Sequence, residues 1–163
     1  MTLAVALYVL AVASSVALHA LAVTLWVGGM FFAHQCLRPV AASQLDPSPR
    51  LTLWVGVFGR FFPWVWGAVL TTLLSGLWLM FFVYAGFKSP PYLHTMLGLG
   101  LTMMAIFLYV FFVPYPQLKR AVAAQDWPQG AQHLARIRRL VGVNTLLGVF
   151  TIVVGAGGHY LVL

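Results

Sequence analysis

Four long apolar runs, Leu3 to Leu37, Leu51 to Phe87, Tyr92 to Leu118 and Leu140 to Leu163, are separated by short polar links. About 20 residues of helix cross the hydrocarbon core of a bilayer. Every run is long enough, and the first two exceed the need, so they tilt, break or project beyond it. The pattern predicts an all-α polytopic membrane protein, a four-transmembrane-helix bundle. It predicts a single domain over 1–163, with helices at about 3–37, 51–87, 92–118 and 140–163.

Within the runs, small and polar residues recur on one face. Ser15, His19, Ala22, Trp26 and Gly29 follow a spacing of four, three, four, three in the first. Gly59, Pro63, Gly67, Thr71 and Ser75 recur every fourth residue in the second, and Asn144, Gly148, Gly155 and His159 lie four or seven apart in the fourth. Such stripes are packing surfaces between membrane helices. They serve contacts within one chain or between two, which leaves a homo-oligomer open. Arg38-Pro39 is expected to end the first span, because proline cannot continue the hydrogen-bond ladder.

Composition agrees with the pattern: 62% of the 163 residues are hydrophobic and 7% charged, against about 25% charged in a soluble domain. The net charge of +7 is no sign of nucleic acid. Arg38, Arg50 and Arg60 cluster about the first link and Lys119, Arg120, Arg136, Arg138 and Arg139 about the third, whereas the second link has only Lys88. Basic links face the cytoplasm and meet anionic lipid there. Both termini are therefore expected on the outer (periplasmic) side of a bacterial inner (cytoplasmic) membrane, in a multi-pass protein. The third link reads as an amphipathic surface segment holding Trp127 and His133. Cys36 is alone, so no internal disulfide forms. Ala11-Val12-Ala13 resembles a signal cleavage site, but no basic residue precedes it, and the start is expected to remain as an extension of the first helix.

Candidate chemistry centres on histidine, since an ionisable group inside a span costs about 2.5–3.5 kcal/mol on insertion scales and needs a partner. Counting about 20 residues back from Leu37 sets the outer boundary near Leu18. His19, His94 and His159 then sit at similar depth on three helices, with His34 at the opposite end. There is no HExxH motif, and the two acidic residues, Asp46 and Asp126, both lie in links. This disfavours zinc hydrolysis, an acidic proton relay and a hard-cation channel. A haem suits paired imidazoles better. His19 and His94 are the proposed metal ligands, and His159 is the substitute. Trp26 supplies an aromatic wall, Gly98 leaves room one turn below His94, and Arg60 is either a lipid contact or a partner for a propionate. Copper is the other candidate, because Cu(I) favours thioether and imidazole, and Met80 and Met96 lie near His94. A structural or assembly subunit without cofactor is the third reading.

The segment LHALAVTLWVGGMFFAHQCLRP at Leu18 to Pro39, with His seven residues before Trp-Val-Gly-Gly, resembles the first helix of CopD-type membrane domains. YLHTMLGLGLTMMAIF at Tyr92 to Phe107 and RIRRLVGVNTLLG at Arg136 to Gly148 resemble small bacterial proteins of the CopD family. The layout is also similar to HemJ-type protoporphyrinogen oxidases, four-helix membrane proteins that bind haem b through histidines of the first and third helices. That pattern has a lysine two residues after the second histidine, where this chain has Met96. The resemblance implies His19 and His94 as haem b ligands in a protein with a redox or electron-transfer role. The role extends to oxidation of a membrane-soluble substrate, or to exchange with a membrane-soluble or periplasmic redox partner. The alternative it implies is copper handling or transport.

Overall fold

The computed structural model describes residues 2–161, all helix and turn, with no strand among them. α1 (Leu3–Phe31) passes through a π-helical segment (Phe32–Leu37) into α2 (Arg38–Gln44), and these together make the first span. α3 (Pro47–Phe82) is the second. α4 (Pro91–Phe112) and α5 (Pro114–Ala123) form the third, and α6 (Trp127–Gly157) is the fourth. The start of α1 and the end of α6 lie at one end of the bundle, called here the terminal end. The turns at Gln44–Pro47 and Ala123–Trp127 define the link end.

Prolines punctuate the chain as their chemistry requires. Pro47, Pro91, Pro114 and Pro128 stand in the first turn of α3, α4, α5 and α6, where a missing N–H costs nothing. Pro39 does not stop the first span, contrary to expectation. An ordinary helix would need the Pro39 N–H for the Gln35 carbonyl and would clash with it. The chain widens instead, and the Arg38 N–H bonds the Ala33 carbonyl five residues back. Pro63 is likewise accommodated inside α3, on its exposed side.

The fourth helix starts at Trp127 rather than near Leu140. Asp126 caps it, its Oδ1 accepting the Gln129 N–H at 3.0 Å. Gly130, Leu134 and Ile137 form a buried stripe against α5, so the polar link folds back as helix. The expected end of this span at Leu163 lies outside the described residues.

Helix pairs α1–α3, α4–α6 and α5–α6 pack most extensively, and α6 also touches α1 and α3. Tyr8 Oη donates to the Phe82 carbonyl at 3.3 Å, tying the start of α1 to the end of α3. The core lies toward the link end and is aromatic. Trp54, Phe58 and Phe62 step along α3 with ring centroids 5.2 Å apart, and Phe107, Phe111 and Tyr115 meet them mostly edge to face. Such pairs contribute about 0.5–1.5 kcal/mol each beyond area burial. Leu7, Leu21, Trp64, Leu74, Phe82, Leu146 and Val153 are exposed around the flanks. A soluble protein avoids so continuous an apolar surface; here it is the lipid-contacting belt.

Candidate functional site

His19 leans onto α3. Its Nδ1 lies 2.9 Å from Ser75 Oγ, and Ser75 Oγ also donates to the Thr71 carbonyl at 2.5 Å. A serine hydroxyl has one hydrogen, so His19 Nδ1–H donates to Ser75 and Nε2 keeps its lone pair. Gly76 permits this approach: a Cβ there would lie 3.0 Å from His19 Cε1. The sequence spacing that put Ser15, His19, Ala22, Trp26 and Gly29 on one face describes real packing, since all five are buried or half-buried.

His94 is held differently. Its Nε2 lies 3.3 Å from the hydroxyl of Ser89, in the turn before α4. The half-buried His94 and His19 are thus each paired with a hydroxyl of a separate segment. His159 is exposed, with its ring 5.6 Å from that of Tyr160. Gly98 is exposed, with open space where a side chain would stand, and Arg60 is exposed too. Trp26 is 3% exposed and meets Phe107 across the bundle at 6.4 Å. His34, in the π segment, rests its Nε2 edge on the α6 backbone, 2.9 Å from where a Cβ of Gly142 would be. Among the described residues no three histidine, cysteine or acidic side chains gather into a metal-holding group.

A haem asks for two imidazoles turned to one guest. A serine contact at one ring nitrogen leaves the other able to bind a metal, but His19 is held on α3 and His94 by the turn before α4, and nothing in their placement turns the two rings to one guest. A cavity between the helices, lined by Trp26, Met30, Phe58, Phe62, Phe107 and Asn144 among others, includes neither histidine. Its volume of about 160 Å³ is below the ~300–1,000 Å³ usual for cofactor and ligand pockets.

The structure also sets Met30, Met103 and Met96 in a line along the bundle, of which the copper reading above names only Met96. Asn144 of α6 is buried at the bundle centre. Its Nδ2 donates to the Met103 carbonyl at 3.4 Å and to Met30 Sδ at 3.6 Å, drawing together thioether residues from α1 and α4. Met103 Sδ in turn lies 4.0 Å from Thr151 Oγ1. One step toward the terminal end, Met96 packs into Gly155; a Cβ there would be 3.1 Å from Met96 Sδ. Met103 likewise packs into Gly148. Met96 and Met103 are seven residues apart, as are Gly148 and Gly155, so the two stripes face each other two turns at a time. That shared spacing was the available signal, in place of the MxM or MxxxM patterns the chain lacks. His94 stands at one end of this line and His34 at the other.

Comparison with family models gives a match over residues 55–157 to CopD, described as copper resistance protein D. No match is found among curated proteins or among solved structures.

Proposed function

Because the chain belongs to the CopD family of copper-resistance membrane proteins, we propose that it handles copper, passing Cu(I) along the line of thioethers inside its bundle. The observation that carries this reading is the burial of Met30 and Met103 on either side of Asn144, which bonds the Met30 thioether and the Met103 main-chain carbonyl. Cu(I) is soft and favours thioether and imidazole over oxygen, and neutral donors suit a cation that has to leave again. His94, with His19 at similar depth, supplies imidazole at the terminal end, Met96 and Met103 continue inward, and His34 receives at the link end. Cargo and not a resident cofactor is meant, so weak successive sites are what the role requires.

The test is Cu(I) uptake into proteoliposomes. Leu and Met are near in volume, and such exchanges usually cost less than about 1.5 kcal/mol, so Met30→Leu and Met103→Leu leave a folded bundle without its central sulfurs. Uptake is expected to fall about tenfold or more in either variant and to persist in Met104→Leu. Wild-type uptake in both central variants would defeat the proposal. The haem b reading, with His19 and His94 as ligands in an oxidoreductase, has less support because separate segments hold the two rings and the central cavity includes neither. A Soret band in haem-replete protein, lost in His19→Ala and His94→Ala, would restore it.

A further inference from the structure

The link end of the bundle holds three arginines for which the copper line has no use. His34, in the π segment, rests against α6 at Gly142. Four residues toward the link end from that contact stand Arg38 on the first span and Arg138 on α6. The two helices are antiparallel, so about one turn along each from a shared contact brings these residues together. Arg50, at the start of α3, joins them: its Nη1 donates to the Ala42 carbonyl of α2 at 3.4 Å.

The charges acting on Arg138 are those of Arg38 and Arg50, and those acting on His34 are those of Arg38 and Arg138. All are positive. Asp46 and Asp126, the two acidic residues of the chain, are not among them. Like charges gathered at one place repel unless an anion joins them. Arg138 Nε is buried with no hydrogen-bond partner among the described residues, but the residue as a whole is only half-buried. The base of its guanidinium is thus enclosed by protein, and the Nη groups are left for a ligand. Arg38 is exposed, so the group opens outward. Guanidinium forks match the oxygens of a phosphate. The surface beside them is apolar: Leu37, next to Arg38, and Val141, one turn from Arg138, line the central cavity together with the exposed Phe32. Cations beside an apolar wall suit an amphiphile better than a free ion. We propose that Arg38, Arg50 and Arg138 form a site for the phosphate of one anionic phospholipid, whose acyl chains lie on the apolar flank at Phe32. This is a single site with named ligands, distinct from the diffuse attraction of basic links to anionic lipid. It does not rest on the copper reading, although a bound anion would also screen His34 from these cations.

The experiment takes the full chain, delipidated in detergent, and counts bound lipid by native mass spectrometry. The probes are phosphatidylglycerol and phosphatidylcholine with the same acyl chains. One phosphatidylglycerol per chain is expected to bind about tenfold tighter than phosphatidylcholine, whose choline brings a further positive charge to the group. Arg38→Gln combined with Arg138→Gln should weaken that binding about tenfold or more, since charge-assisted bonds are lost. Arg136→Gln combined with Arg139→Gln removes as much charge from exposed positions and should change it by less than about twofold. Inorganic phosphate at millimolar concentration should leave the lipid in place. Equal binding of the two lipids to wild-type protein would overturn the proposal without recourse to any variant. So would equal losses in the two double variants, the mark of diffuse attraction, or displacement by inorganic phosphate, which would assign the arginines to a free ion.

Discussion

A close helix approach in the bundle centre gives the sharpest prediction, Gly148→Ala. A methyl at Gly148 would stand 2.7 Å from Val27 Cγ2, 3.1 Å from Val27 Cγ1 and 3.1 Å from Met103 Cε. Carbon atoms prefer about 3.5–4.0 Å, so the contact to Val27 falls short by roughly 0.8 Å or more. Met103 can bend away, being unbranched. Val27 cannot: it is 5% exposed and its χ1 is confined to essentially one rotamer on a helix. α1 and α6 must therefore separate, at an overpacking cost of about 1–3 kcal/mol. Alanine returns up to about 1 kcal/mol of helix preference, which blurs the result for one variant. Gly100→Ala removes that ambiguity, because Gly100 is also mid-helix and has nothing within 4 Å of its Cβ position. The difference between the two variants isolates the overpacking, and Gly148→Ala should be the less stable by about 1–3 kcal/mol. Reversible unfolding in bicelles, by SDS titration or steric trapping, measures it. Val27→Ala should cost less in the Gly148→Ala background than in wild type, since it clears the space. Equal stabilities for the two alanine variants, or no such coupling with Val27, would refute the reasoning.

Three further outcomes are expected. Ser75→Ala should lower stability by about 0.6 kcal/mol, and by no more than about 1.7, the range for hydrogen bonds between membrane helices; combined with His19→Phe, it should add little, as a double-mutant cycle would show. Asp126→Ala removes the cap on Gln129 and should cost about 0.5–2 kcal/mol, with amide exchange quickening first at Gln129 and Gly130. Gln125, at φ 56° in the turn after α5, holds a conformation that costs a side-chain-bearing residue about 1–2 kcal/mol; Gln125→Gly should raise the unfolding midpoint, after glycine's own entropic cost of roughly 0.5–1 kcal/mol.

The four spans were legible because a membrane segment declares itself by length and apolarity. Their ends were not. Helix persists wherever the backbone stays satisfied and one face stays buried, so it ran past Pro39 and began thirteen residues before Leu140, at Trp127. Stripes were readable only when their period suited a helix. Ser15, His19, Ala22, Trp26 and Gly29 average 3.5 residues and stay on the packed side. Gly59, Pro63, Gly67, Thr71 and Ser75 advance four at a time, which drifts about 40° per step. By the structure's account Ser75 is buried while Pro63 and Gly67 look outward. The sequence reading set the histidines at a common depth, but depth does not give partners. Serines supplied those, and the meeting of Met30, Met103 and Asn144 needed three helices in position before it existed.

The widened turn at Phe32–Leu37 sets the rotational phase between two halves of a single rod. Upstream, Trp26 and Met30 point into the bundle; downstream, Ala41 is buried while Arg38 is exposed. Excising one residue from this turn would let the rod close to ordinary winding, and everything beyond would swing by about 100°. A cation now on the outside would be carried toward the packed interior. The surplus residue thus acts as a phase shifter, and the first span keeps both of its buried faces only while that residue remains in place.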